Sequence, residues 1–189
     1  MLRSVMKACV IAGCLVSLPI LSAAQQVVHA LTGTVSSIDK AAQTVAVLQD
    51  VGGGGIFQSL SNPKTRLDFD KKIAAGTIAA DAFKDNGAYV IVFYFGGSDN
   101  RTVVAFKNLG SGPFSSTVGK IQKLERSHSI SVQDESGAVQ TFKIGPETIA
   151  EGYAGAVDGT KFQAQSGDRV RIVSAMVDGS PTALFVRNM

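Results

Sequence analysis

"SGDRVRIV" at residues 166–173 and "NGAYVIVF" at 86–93 share one frame: a Gly, then three residues on a Val, then two further on an Ile or Val. The spacing between Gly87 and Gly167 recurs outward from both stretches. Gly33 falls on Gly119, Val35 on Ile121 and Ile38 on Leu124. Val45 then meets Ile130, Val47 meets Val132, and Phe57 meets Phe142. "NPKT" at 62–65 lies over "GPET" at 145–148, and the copies close as "TVVAFKNL" at 102–109 and "TALFVRNM" at 182–189, with Asn108 on Asn188. Five matching segments in one order make each copy a structural unit.

Each unit reads as strand. Apolar and polar residues alternate, β-branched types are enriched, and Gly, Asp and Asn punctuate at short intervals. In copy one strands are expected near 31–38, 43–49, 56–61, 88–96 and 101–108, and in copy two near 117–124, 129–134, 138–144, 168–176 and 182–188. "VGGGG" (51–55), "GGSDN" (96–100) and "DGS" (178–180) read as hairpin turns. Between the third and fourth strands the Ala-rich stretch 70–86 suggests a short helix, and its Gly-containing counterpart 153–166 a weaker one. Five strands with a helical or irregular insertion after the third is the order of an OB-type barrel. The fold class expected is all-β, two tandem OB-like barrels of five to six strands, with a single sandwich of all ten strands as the competing fold.

The first 24 residues stand apart. Arg3 and Lys7 precede an apolar run at 8–21, and "SAA" at 22–24 carries small residues before Gln25, the pattern of a cleaved secretory signal peptide. "IAGC" ending at Cys14 also resembles a lipobox, which leaves a lipoprotein as the alternative. The expected organisation is a signal peptide over 1–24, a first barrel over 25–109, a Gly/Ser/Pro-rich linker over 110–116 and a second barrel over 117–189.

Removing the leader removes Cys9 and Cys14, the chain's two cysteines, and with them any disulfide or thiol chemistry. It also takes Arg3 and Lys7 from the 18 basic residues, leaving 16 against 15 acidic ones and a net charge of +1. The whole-chain pI near 8.9 therefore overstates the basicity. With no basic run or arm, nucleic acid is an unsuitable partner.

The Gly-x-Val opening, the "ID" before the first turn, the Thr of "PxT", and "GDRVRIV" followed by an Ala-containing last strand resemble a family of exported bacterial domains, small OB-like β-barrels that often occur in tandem. The resemblance spans nearly all of the chain after the leader. Copy two matches more closely, because copy one lacks the Asp, reading "GAYVIVF". It implies the fold and an envelope location, in the periplasm or secreted, and it carries no catalytic residues to transfer.

The chain offers little for catalysis. His29 and His128 have no Cys, Asp or Glu at ligand spacing and read as surface histidines. "SHS" at 127–129 is no triad, because adjacent strand residues face opposite ways. Asp68 and Asp70 read as a solvated acidic turn, and "GGGG" at 52–55 lacks the Lys-Ser/Thr of a phosphate loop. No cofactor and no metal is expected.

Alternation decides the rest. Val170 and Ile172, like Val90 and Val92, should face a barrel interior, leaving Arg169 and Arg171 outside in copy two. The matching outer face of copy one is Tyr89, Ile91, Phe93 and Phe95. Such a strip must be covered, either by the other barrel or the protein's own insertion, or by a partner protein or second copy. On OB barrels ligands use the second and third strands and adjoining loops. Here Thr44, Ala46 and Leu48, with Ser129, Ser131 and Gln133, provide no stacking aromatic, while Lys40, Arg126 and His128 on the loops could meet an anion. The function expected is a non-catalytic binding or scaffolding module of the envelope, not membrane-spanning, acting through a protein–protein surface with an envelope partner or itself. The alternative is a small-ligand binder for an ion, glycan or anionic polymer at the barrel loops.

Overall fold

The computed structural model describes residues 27–59, 76–97 and 100–189. They form two sheets in succession, without any α-helix among the described residues. The first contains β1 (His29–Asp39), β2 (Thr44–Gln49), β3 (Gly54–Ser59), β4 (Thr77–Ala79), β5 (Tyr89–Phe95) and β6 (Thr102–Gly110). The second contains β7 (Ser115–Glu125), β8 (Ser129–Asp134), β9 (Val139–Lys143), β10 (Ile149–Gly152), β11 (Gly155–Asp158), β12 (Arg169–Val177) and β13 (Ser180–Asn188).

The first sheet runs β3-β2-β1-β5-β6, with β4 outside β6, and closes on itself where β3 meets β6 in parallel at Gln58↔Thr102 and Ser59↔Val103. The second repeats these neighbours as β9-β8-β7-β12-β13, with one parallel bridge at Thr182↔Lys143. These are the neighbours of an OB-type barrel, in tandem, as the repeat implies. Irregularities repeat too. β1 slips register between Val35 and Ser37 and β7 between Ile121 and Lys123, while the fourth and fifth barrel strands slip after Phe93 in one barrel and Val173 in the other. Such bulges sharpen the bend a small closed sheet needs.

The repeated Gly is explained by this bend. Gly87 and Gly167 lie at φ +81° and +94°, a left-handed backbone that favours Gly. From there the Gly87 amide donates to the Val35 carbonyl and the Gly167 amide to Ile121, each at 2.8 Å. In return the Val35 amide reaches Ala88 at 3.0 Å and the Ile121 amide reaches Asp168 at 2.9 Å. The glycine thus ties the entry of β5 or β12 to the bulged position of β1 or β7. Asp168 adds a side-chain bond from the Gln165 amide at 2.8 Å, which copy one, with Ala88 there, does without.

The insertions differ from expectation. The described part of 70–86 holds β4 and a 3-10 turn at Ala80–Ala82 rather than an α-helix, because β4 pairs with β6 from Thr77↔Lys107 to Ala79↔Ala105. In the second barrel the insertion is the β10–β11 hairpin and a 3-10 turn at Gly159–Lys161. Sheet pairing here overrides the helix preference of alanine. Asp68 and Asp70 lie outside the described residues.

Three apolar clusters hold the molecule. One fills the first barrel with Val35, Val45, Phe57, Val90, Val92 and Phe106; a second fills the other barrel with Ile121, Ile130, Phe142, Val170 and Ile172. The third joins the barrels and contains Ala30, Ile91, Phe93, Ala105, Ile149, Val173 and Phe185. Within the segment expected as a linker, Phe114 alone is packed. β7 begins at Ser115, and the Phe114 ring lies 4.9 Å from that of Tyr89. No helix among the described residues is long and apolar enough to cross a membrane.

Phe93 is fully buried in the seam. Phe93→Ala is expected to lower unfolding stability by about 3 kcal/mol or more. Leu48→Ala, at a residue 58% exposed, should change it by no more than about 0.5 kcal/mol. Urea titration of both variants checks the contrast.

Candidate functional site

Two regions stand out among the described residues. One is the junction between the barrels, the other a groove on the second.

At the junction lies the strip predicted to face outward from copy one. It does face away from the first barrel's interior, and the second barrel covers it. Ile91 and Phe93 are wholly buried in the joining cluster, and Tyr89 is half-buried against it. Phe95 ends β5 half-buried, paired with Thr102, outside that cluster. The centre of the strip, Ile91 and Phe93, is therefore an internal seam packed with Val173, Phe185 and Ile149.

The arginines need a correction too. Arg169 is exposed and pairs with Glu135 at 2.8 Å. Arg171, expected in solvent, is 6% exposed. Its Nη2 donates to Asp50 Oδ2 at 2.6 Å, its Nη1 to Thr32 Oγ1 at 3.1 Å, and its Nε to Ser116 Oγ at 3.1 Å. Thr32 and Tyr89 hydroxyls also donate to Asp50 Oδ2, at 2.6 and 2.5 Å. Burial opposes the Asp50 charge, but these donors and the guanidinium outweigh it and hold the carboxyl below its ordinary range. The Tyr89 phenol, buried and bonded to that carboxylate, is pushed up to about 12.

His29 and Glu151 form a second bridge. His29 Nδ1 lies 2.7 Å from Glu151 Oε1, and the Ala30 amide donates to Oε2 at 2.7 Å. His29 is thus not a bare surface residue. Burial raises the Glu151 carboxyl above its usual value, against the opposing pull of His29 and the Ala30 amide. The Tyr94 ring, 5.8 Å from the imidazole, completes the surroundings.

The groove has a volume of about 430 Å³ and is lined by Arg126, by Gly152–Gly155 of the β10–β11 hairpin, and by Val157, Thr160, Lys161, Phe162 and Gln163. Tyr153, at the hairpin tip, is 83% exposed. Beneath it the 3-10 turn is anchored by the buried Asp158, which accepts from the Thr160 amide at 2.9 Å and from the Thr160 hydroxyl. The Lys161 ammonium stands 3.2 Å from Asp158 Oδ2 in an ion pair. Burial works against the Asp158 carboxylate, but Thr160 and Lys161 prevail and lower its pKa. Phe162 packs into the barrel core below. The floor is apolar, one wall ends in a phenol, and two cations stand on the rim.

Of the three loop residues singled out, only Arg126 reaches this groove. His128 is exposed on the same turn, and its amide donates to the Glu125 carbonyl at 3.0 Å. Lys40 sits at the matching turn of the first barrel, beside Ala80, Asp81 and Phe83, where the equivalent cleft is only about 30 Å³. Two wider depressions, of about 440 and 520 Å³, flank the Arg169–Glu135 pair, whose charges already satisfy each other. The residues sequence reasoning missed are Tyr153, Lys161 and Phe162. Their one signal was that 153–166 diverges from the matching stretch of copy one. No protein-family model and no curated protein matches the chain.

Arg171→Met leaves the Asp50 carboxylate, its side chain 21% exposed, with the Thr32 and Tyr89 hydroxyls but without its cation, and is expected to cost about 1–3 kcal/mol at neutral pH. Because the folded Asp50 value is depressed, its contribution is fully present above the unfolded value near pH 4 and is lost as pH falls through the lower folded value. The gap between wild type and Asp50→Asn should therefore shrink steadily below about pH 4. Urea titrations at neutral and acid pH measure it; a gap that widens on acidification would contradict the assignment.

Proposed function

We propose that the protein is an exported, non-catalytic binding module that takes an anionic saccharide in the groove of its second barrel. The observation that carries this reading is the exposed Tyr153 ring standing beside an apolar floor, with Arg126 and Lys161 on the rim. A sugar ring offers an apolar face that suits an aromatic side chain, and its hydroxyls suit Thr160 and Gln163. Arg126 makes no ion pair among the described residues, so its fork is available for a carboxylate. OB-type barrels bind oligosaccharides beside their loops, and the groove adjoins the turn between β7 and β8.

The same features argue against a chemical role. The His29–Glu151 pair joins the barrels, with a backbone amide on the second carboxylate oxygen, and does not open into the groove. The leader pattern and the resemblance of the repeats support export and an envelope location, a compartment in which an acidic glycan is a suitable ligand. Protein docking through the Tyr89–Phe95 strip is the reading this replaces, since the strip's centre is buried within the chain.

Calorimetric titration of the purified protein with a galacturonate hexamer tests the proposal, with a neutral glucose hexamer as control. Binding of the acidic probe alone is expected. Tyr153→Ala should weaken it about tenfold, roughly 1.4 kcal/mol, and Arg126→Glu should remove the salt dependence along with most of the affinity. Equal affinity in Tyr153→Ala, or no heat with the wild type, would remove the groove as the site.

A further inference from the structure

The groove belongs to the second barrel, yet one of its walls is held by the first. Tyr153 and Ala154 are the tip of the hairpin β10–β11, whose closing pair is Gly152↔Gly155. On one side β10 pairs in parallel with β13, from Ile149↔Phe185 to Glu151↔Arg187. On the other side the hairpin meets the start of β1. The Ala156 amide donates to the Val28 carbonyl at 2.8 Å. The Ala30 amide donates to Glu151 Oε2, and His29 Nδ1 lies against Glu151 Oε1, both at 2.7 Å. Three polar contacts from three consecutive residues of the first barrel thus grip both strands of the hairpin, at Glu151 and Ala156, two and three residues from Tyr153.

Gly155 shows how close the grip is. A Cβ at this position would lie 2.5 Å from the Val28 carbonyl oxygen and 2.6 Å from Val27 Cγ1, and its φ of +99° is itself unfavourable for any other residue. The carbonyl cannot retreat without breaking its bond from Ala156. Ala30 and Ile149, together in the joining cluster, fasten the same two elements through apolar contact. In the first barrel β4 pairs directly with β6, and the corresponding cleft measures only about 30 Å³.

We infer that the first barrel positions the ligand groove of the second, with His29 and the Val28–Ala30 backbone as positioning elements for the Tyr153 hairpin. This rests on the reading of the groove as the ligand site for its functional consequence, but the mechanical part stands on its own. A two-residue hairpin tip has few contacts of its own, and a strand pair held along one edge only opens more readily than one held along both. Clamping the second edge fixes the phenol over the groove before ligand arrives, which lowers the ordering cost of binding. The tandem arrangement then has a use that neither barrel has separately.

Two measurements on the intact protein separate the parts. Amide hydrogen exchange, without ligand, reads the hairpin directly. In His29→Ala and in Gly155→Ala the amides from Gly152 to Ala156 are expected to exchange about tenfold faster, while those of Ile130 and Val132 in the barrel wall stay as in the wild type. His29→Gln, whose amide can still donate to Glu151, should restore most of the protection. Titration with the galacturonate hexamer then reads the consequence, an expected weakening of several-fold in His29→Ala, a residue that does not line the groove, with recovery in His29→Gln. Unchanged hairpin exchange in His29→Ala and Gly155→Ala would overturn the positioning. Faster exchange with unaltered affinity would overturn the coupling to ligand. If the wild type does not bind the probe, the saccharide reading fails by itself, and the exchange data still decide whether the first barrel holds the hairpin.

Discussion

The structure depends on β5 being buried on both faces. A strand in a small barrel ordinarily presents one face to the core and one to solvent, which is why alternation can be read from sequence at all. β5 gives Val90 and Val92 to the first barrel's interior and Ile91 and Phe93 to the seam, all at 0% exposure. Leaving the second pair in water would expose a contiguous apolar patch. The second barrel removes that exposure, so the two repeats are held in one arrangement by the same force that closes each of them.

Around this apolar centre the polar contacts set orientation more than strength. Arg171 occupies the position in β12 that Ile91 has in β5. A guanidinium entering an apolar seam must find acceptors there, and Asp50, Thr32 and Ser116 supply them. A buried ion pair of this kind adds little net stability over apolar packing but strongly penalises any docking that separates its partners. The His29–Glu151 bridge belongs to the same junction, with the amide of Ala30 as its third member. Together they restrict which relative placement of two greasy surfaces is acceptable.

Much of this was legible beforehand, and the reasons for the failures are specific. The ten barrel strands could be placed within a few residues because Val, Ile and Phe alternate with polar types, and because the duplication allowed each copy to check the other. The tandem OB-like order followed from the same repeat. The β10–β11 hairpin was not legible, since "IAEGYAGAVD" (149–158) has two short apolar runs interrupted by Gly and no clear period. The environment of Arg171 was not legible either. Alternation places it on the outer face, correctly, but an outer face of one barrel can be the inside of a pair, and its carboxylate lies 121 residues away. His29 failed in the same manner, with Glu151 at a separation of 122. Local pattern reports which way a side chain points; it says nothing of what the rest of the chain brings to meet it.

The divergence between the copies follows the same logic. Residues of the closed sheet match in type between the copies because both barrels need the same bends, as the shared glycines and bulges indicate. The seam and the insertion are free of that constraint, and there the two copies differ. In the first barrel the outer face of the fourth strand is apolar and aromatic, and the cleft beside Lys40, Ala80 and Phe83 is about 30 Å³. In the second the same face acquired Arg171, and the insertion became a hairpin carrying Tyr153 beside Arg126. A groove built this way needs an anchored wall, and its hairpin is held by β13 along one edge and by the start of β1 along the other. Two like barrels packed together therefore supply both a scaffold and the support that a short hairpin cannot give itself.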